Sequence, residues 1–254
     1  MLILLSPSKT LDFNPSPAPA APTEPRHLDQ ARLLIDTVRA LDAEGIAALM
    51  DLSPALAALN AGRFARFDAD DNSARPALLA FKGDVYKNWS LKDWDEADFA
   101  FAQDHLRILS GLYGVLRPLD LIRPYRLEMG TGLPNARGGD LYAFWGGRIR
   151  ATLEDDLAAQ GDDLLVNLAS AEYFKAADAR NLRGRVIQPA FKEDRGGAVK
   201  TIALFAKRAR GLMAQHLLKN RIADLDGLRA FDLDGYRLDP GASTDEAPVF
   251  VRKH

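Results

Sequence analysis

Three strand-length runs in this chain are apolar at almost every position: MLILL (residues 1–5), LLAF (78–81) and LLVNLAS (164–170). A sheet with one wet face shows alternation, so unbroken apolar runs need cover on both faces. Amphipathic segments between the runs can supply that cover. From Leu28 the positions Leu28, Ala31, Leu34, Ile35, Val38 and Leu41 follow helical spacing. Asp42 is placed to cap a second short helix, and Ser53-Pro54 to open a third that runs to about Phe67. Further helices are expected from Asp98 through Leu109, over 140–160, from Ala171 and over 206–222. Residues 185–191 and 198–205 read as strands flanking a Gly196-Gly197 turn, and such a hairpin argues against a wholly parallel sheet. The expectation is one α/β (α+β) domain over residues 1–254, a mixed β-sheet with surrounding helices. Residues 43–66 form a helix-hairpin-helix-like element within it.

Two segments follow neither period. Residues 14–25 (NPSPAPAAPTEP) hold five of the 14 prolines and read as an irregular surface connection. Residues 111–134 are rich in Gly and Pro but also in Leu, Ile and Tyr, which predicts an ordered, partly buried loop.

Composition closes off several chemistries. The chain has no cysteine, which excludes disulfides, thiol peroxidase chemistry and cysteine-ligated zinc or iron–sulfur clusters. A cysteine-free chain also fits a reducing cytoplasm. The start lacks the charged and long apolar regions of a signal peptide, and no apolar run reaches membrane-spanning length, so no membrane partner is expected. The four histidines are scattered, and the Glu24-x-x-His27 string lies beside Pro22 and Pro25, outside a regular helix, without a second copy. No metal site and no cofactor are expected. SPSKT (6–10) places a Lys-Thr pair after a strand but lacks the glycines of a phosphate loop.

The formal charge is only −2, so any affinity for nucleic acid must come from segregated charge. Segregation is present. Residues 195–221 carry seven basic side chains, Lys207, Arg208 and Arg210 among them, and no acidic one. Residues 105–137 add Arg107, Arg117, Arg123, Arg126 and Arg137 against Asp120 and Glu128 alone. Arginine among glycine and aromatic residues suits recognition of phosphate or carboxylate. It equally suits internal pairing with the acids. A third, polar cluster lies at the ends of the apolar runs: Lys9, Lys82-Gly83-Asp84, Asn167 and Ser170-Ala171-Glu172-Tyr173. Ligands of α/β folds bind outside the carboxyl ends of strands, so these residues could form a small anionic-ligand site.

The strings SPSKTLDF (6–13), AFKGDVY (80–86), HLRILSGLYGVLRPLDLIRPYRLEMGT (105–131), NLASAEYFK (167–175) and KRARGLMA (207–214) closely resemble the bacterial peroxide-stress protein family YaaA. The likeness runs along essentially the whole chain. It implies a cytoplasmic protein that protects cells from hydrogen peroxide by lowering unincorporated iron and limiting Fenton damage to DNA. It further implies an unusual α/β architecture, a helix-hairpin-helix element and a positively charged cleft that binds DNA. Leu52-Ser53-Pro54 departs from the glycine-containing turn of that element.

Two function classes follow. In the first, Lys9, Lys82, Arg107, Arg117, Arg123, Arg126, Lys207, Arg208 and Arg210 bind double-stranded or distorted DNA through its backbone, without strong sequence preference. Tyr113, Tyr125 and Trp145 would stack on unpaired bases. In the second, an enzyme acts on a small anionic or nucleotide-like substrate at Lys9, Lys82, Asp84, Arg126, Glu128 and Glu172, with Asn167 and Ser170 beside them. One compact pocket joining Lys9, Lys82 and Glu172 would favour the enzyme, and a long open basic groove would favour DNA.

Overall fold

In a computed structural model of the chain, residues 1–14, 21–69 and 73–253 are described. Half of the connection expected over 14–25, residues 15–20, therefore falls outside the described residues. Strand β1 (Leu2–Leu5) is buried at all four positions, as its unbroken apolar run requires. A two-residue strand, β2 (Thr10–Leu11), follows the Pro7 break. Helix α1 (Leu28–Arg39) buries Ala31, Leu34, Ile35 and Val38, the stripe expected from spacing.

Helices α2 (Ala43–Met50) and α3 (Pro54–Ala65) form the hairpin element. The Asp42 carboxylate accepts the Gly45 N–H, and the Ser53 hydroxyl accepts the Leu56 N–H. The pair bends by 110° at a turn where Asp51 takes the left-handed conformation (φ 50°). Asp42→Ala is expected to cost about 1 kcal/mol, read as a shift of the urea midpoint at unchanged slope.

Next come β3 (Arg75–Pro76), α4 (Ala77–Ala80) and β4 (Phe81–Lys82). The LLAF run is thus mostly one buried helical turn, not the expected strand. An apolar run of four residues fits either state, and hydrophobic burial alone does not choose. β4 pairs antiparallel with β2, Thr10 opposite Lys82, which ties the segment after β1 to the segment around Asp84.

Helix α5 (Glu96–His105) is capped by Asp95, not by Asp98. Asp98 completes a capping box as the third helical residue. The helix also stops earlier than expected, because Leu106–Ser110 is strand β5, buried at all five positions. Pairing with β1 decides this segment, a contact over a hundred residues away that local pattern does not contain. Within the expected loop lie two further strands, β6 (Gly114–Leu116) and β7 (Leu121–Ile122). The helix expected over 140–160 is two, α6 (Leu141–Trp145) and α7 (Arg148–Gln160), broken where Gly146 takes φ 49°.

Strand β8 (Leu164–Asn167) leads into α8 (Ala171–Lys175) as expected. Then follow β9 (Arg185–Ile187), β10 (Ala190–Arg195) and β11 (Ala198–Lys200). β10 and β11 form the hairpin around Gly196-Gly197, but β11 ends five residues before the expected strand does. Helix α9 (Ala203–Lys219) takes over there. The chain continues through α10 (Leu225–Arg229), β12 (Tyr236–Leu238) and β13 (Val249–Lys253).

The fold class is α/β with mixed sheets, though the strands divide among several sheets rather than one. The larger has the order β6-β5-β1-β8-β9, parallel except where β6 turns back on β5. The second has the order β11-β10-β13-β12, with only β10 and β13 parallel. Helix α9 packs against both sheets, touching β1 and β10, and against α5. No single helix among the described residues is long and apolar enough to cross a membrane.

Candidate functional site

Strands β1 and β8 run parallel side by side, with Leu4 opposite Asn167, so their carboxyl ends open at the same edge. The two following segments are stitched together there. Leu168 N–H donates to the Leu4 carbonyl (2.9 Å), and Ser170 N–H donates to Ser6 Oγ (2.8 Å). Tyr86 hydroxyl donates to the Ser6 carbonyl (2.8 Å), which fastens the 83–86 turn to the same edge. Gly83 takes φ +114° and a Cβ there would lie 2.5 Å from Ser8 Oγ, so the turn approaches the serine only because it has no side chain. Helix α9 closes the far side, its Gly211 packed against the Val85 carbonyl.

These pieces enclose a cavity of about 390 Å³ lined by Ser6, Ser8, Lys9, Asp84, Glu128, Ser170, Glu172, Tyr173, Lys207 and Arg210, with Pro7, Val85 and Leu168 as apolar wall. Two neighbouring hollows share its residues. One, beside Tyr125 and Arg126, shares Lys9, Glu128 and Tyr173. The other, about 370 Å³, shares Glu128 and Glu172 and reaches the hairpin turn at Met50 and Asp51. Together they form a trench from α9 to the helical hairpin.

Charge along the trench is uneven. At the hairpin end Asp51, Glu128 and Glu172 contribute carboxylates and no cation lines the wall. The turn itself presents few donors: Pro54 has no N–H, and the Leu56 N–H is already taken by Ser53. The helix-hairpin-helix-like element is therefore present, but its turn is not shaped to hold phosphate. At the α9 end the acids are engaged. Lys9 Nζ lies 2.7 Å from Glu128, Arg126 lies 3.1 Å from the same carboxylate, and Arg208 lies 3.4 Å from Asp84. Glu172 Oε1 accepts the Gly130 N–H (2.9 Å). Lys207 and Arg210 pair with no carboxylate among the described residues. Arg210 is half-buried, and loss of solvent lowers its pKa from the ordinary arginine value.

The structure thus brings together Lys9, Asp84, Glu128, Ser170, Glu172, Lys207 and Arg210 in one cavity, with Arg126 and Arg208 beside it. It places other expected site residues elsewhere. Lys82 is exposed and outside the cavity wall, across the strand pair from Thr10. Asn167 is buried and spends its carbonyl oxygen on the Ala169 N–H (2.9 Å). Arg107 is buried and binds Asp156 (2.6 Å), with Arg26 on the other carboxylate oxygen. Arg117 binds the buried Asp120 twice, at 3.0 and 2.9 Å, and Arg123 binds Ser73 and the Ala69 carbonyl. These arginines hold loops to the core. Tyr113, Tyr125 and Trp145 are buried among other rings, so stacking on bases is not open to them. The reason is volume: large rings in an apolar context pack inward unless something holds them out.

Sequence reasoning missed Ser6 and Ser8 as lining residues, whereas Tyr173 belongs to the strand-end cluster expected after LLVNLAS. The S-P-S spacing after an apolar run was the available signal, since Ser6 and Ser8 flank the proline on one side of the strand end. Among the described residues no three His, Asp or Glu side chains converge in a way that would hold a metal ion.

The cavity suits an anion on chemical grounds: two uncompensated cations and the hydroxyl groups of Ser6 and Ser8 line it. The family described as peroxide stress protein YaaA matches residues 1–242 of the 254, from β1 through the strand-end segments, the central loop and α9. A match of that extent covers every element of the trench, and the chain belongs to the peroxide stress protein YaaA family.

Proposed function

We propose that this protein acts in peroxide defence, in the cytoplasm, by holding DNA backbone at the basic end of the trench. One observation supports the reading above others. Lys207 and Arg210 come from the acid-free stretch 195–221, line the trench, and face no carboxylate among the described residues. Exposed Lys9 and Lys82 lie on the adjoining β2–β4 segments. Phosphate contacts carry no base information, so unrelated duplexes bind alike. Limitation of iron damage follows from the same contact. Each phosphate neutralised by Lys or Arg releases its counterions, and where Fe²⁺ is among them its one-electron reduction of hydrogen peroxide to hydroxide and hydroxyl radical takes place away from the backbone.

The test is fluorescence anisotropy with two duplexes of unrelated sequence over a salt series. Joint replacement Lys207→Ala and Arg210→Gln should weaken both complexes to the same degree. It should also flatten the slope of log K against log salt by about 1.8, at roughly 0.9 per phosphate contact. Absence of binding by the parent protein at low salt, or an unchanged slope in the double variant, would overturn the reading.

A further inference from the structure

We propose that the 390 Å³ cavity at the ends of β1 and β8 is a binding site for a phosphomonoester, the terminal phosphate of a nucleotide, with Arg210 and Lys207 as its cationic ligands. The inference rests on the reading of these two residues as an anion-binding pair, and it goes beyond that reading in specifying the chemical end they hold.

The charge balance points to a monoester. Lys9 and Arg126 share Glu128, Arg208 faces Asp84, and with Glu172 counted the five cations in and beside the cavity exceed its three carboxylates by two. A phosphodiester in a DNA backbone carries one negative charge. A phosphomonoester, with a second pKa of about 6, carries close to two at neutral pH. Two uncompensated cations match the dianion. A half-buried guanidinium without an acceptor is costly to keep, and it becomes favourable once a planar pair of oxygens meets it.

The hydroxyl groups add donors. Ser6 Oγ accepts the Ser170 N–H (2.8 Å) and Ser8 Oγ accepts the Thr10 N–H (3.1 Å), so each keeps its own proton for a ligand. The remainder of the wall fits a nucleoside rather than bare phosphate. Pro7, Val85, Leu168 and Tyr173 offer apolar surface, and Glu172 keeps Oε2 free to accept a sugar hydroxyl or base amino proton. The volume lies at the lower end of the range of about 300–1,000 Å³ for small-molecule sites.

Isothermal titration calorimetry on the full chain tests this with five probes: inorganic phosphate, a deoxynucleoside, its 5′-monophosphate, and a single-stranded oligonucleotide with and without a 5′-phosphate. The monophosphate should bind and the deoxynucleoside should not. The 5′-phosphorylated oligonucleotide should bind at least about tenfold tighter than its unphosphorylated twin. Tight binding of both monophosphate and phosphorylated oligonucleotide supports the terminal phosphate itself as the group recognised. Preference for one of them names its source. Affinity should fall as pH drops below about 6, where the monoester loses its second charge, whereas a diester contact would not change there.

Arg210→Gln should abolish monophosphate binding while the ligand-free melting temperature stays level or rises, because an unpaired, partly desolvated charge is removed. If that variant melts lower instead, Lys207→Ala decides, since an exposed lysine has no fold to support and its loss must still weaken binding about tenfold. Equal binding of phosphorylated and unphosphorylated probes, or unchanged affinity in Lys207→Ala, would overturn the proposal. Closed circular duplex separates this outcome from failure of the backbone reading. If it binds while terminal phosphate makes no difference, only the monoester site is wrong. If terminal phosphate binds while closed duplex does not, only the backbone reading is wrong.

Discussion

Asp156→Ala should lower stability by about 3–5 kcal/mol, because it strands a buried arginine. Arg107 sits inside the larger sheet with its side chain 6% exposed, and its Nε donates to Asp156 Oδ2 at 2.6 Å. The other carboxylate oxygen accepts from Arg26 NH1 at 2.8 Å, so one aspartate on α7 serves two guanidinium groups. Arg107 NH1 keeps its bonds to the Gln103 and Leu106 carbonyls, but the charge loses its counter-ion. For a chain of this size the loss corresponds to roughly 6–20 °C in melting temperature. Urea unfolding should show it as a lower midpoint, and a change below about 1 kcal/mol would contradict the account.

The same aspartate predicts an acid limb. Burial raises its pKa, but hydrogen bonds from Arg107 and Arg26 and their charges outweigh that, leaving it below the ordinary aspartate value. A carboxylate depressed in the folded state binds its proton more weakly there than in the unfolded chain. Its contribution is therefore complete above the unfolded value of about 4 and is lost as pH falls through the depressed folded value. The Asp156→Ala variant should lose less stability than the parent over that window.

Gly211→Ala is expected to displace α9 and to destroy the trench at its basic end. A Cβ at this position would lie 1.7 Å from the Val85 carbonyl oxygen and 3.1 Å from Val85 Cα. The obstacle is backbone, not the tip of a flexible side chain, so either the helix or the 83–86 turn must move. That turn is pinned through Tyr86 to the Ser6 carbonyl. Overpacking of this kind costs about 1–3 kcal/mol and more where neither partner yields. The expected result is a melting temperature lower by several degrees together with loss of anion binding, because Arg210 and Asp84 flank the collision. A variant that binds nucleotide and DNA as the parent does would show that the two segments are not rigidly joined.

Much of the local structure was legible in residue order. The α1 stripe, the caps at Asp42 and Ser53, the buried β1 and β8 strands and the Gly196-Gly197 hairpin all follow from interactions within a few residues. Two of the errors share one cause. LLAF and LRILS are short apolar segments whose state depends on a partner, β2 or β1, far away in the chain. Asp98 has the residue type of a cap, but Asp95 three residues earlier wins the position, and Asp98 answers it from inside the helix.

The candidate site divides in the same way. Polar residues after apolar runs marked Lys9, Asp84, Ser170 and Glu172 as strand-end groups, and the acid-free stretch marked Lys207 and Arg210. Which arginines were available to a ligand was not written in the order of residues. Arg107, Arg117 and Arg123 have the same composition around them as Arg126, yet they are consumed by Asp156, Asp120 and the Ser73–Ala69 segment. Hydrophobic periodicity and capping act over a turn or two, so the sequence by itself determined α1 to α3, the buried strands β1 and β8 and the strand-end polar clusters. Charge pairing acts through space between segments separated by tens of residues. Only the tertiary structure decided that Lys207 and Arg210 meet no carboxylate among the described residues, and that the trench they line ends in acid at the hairpin.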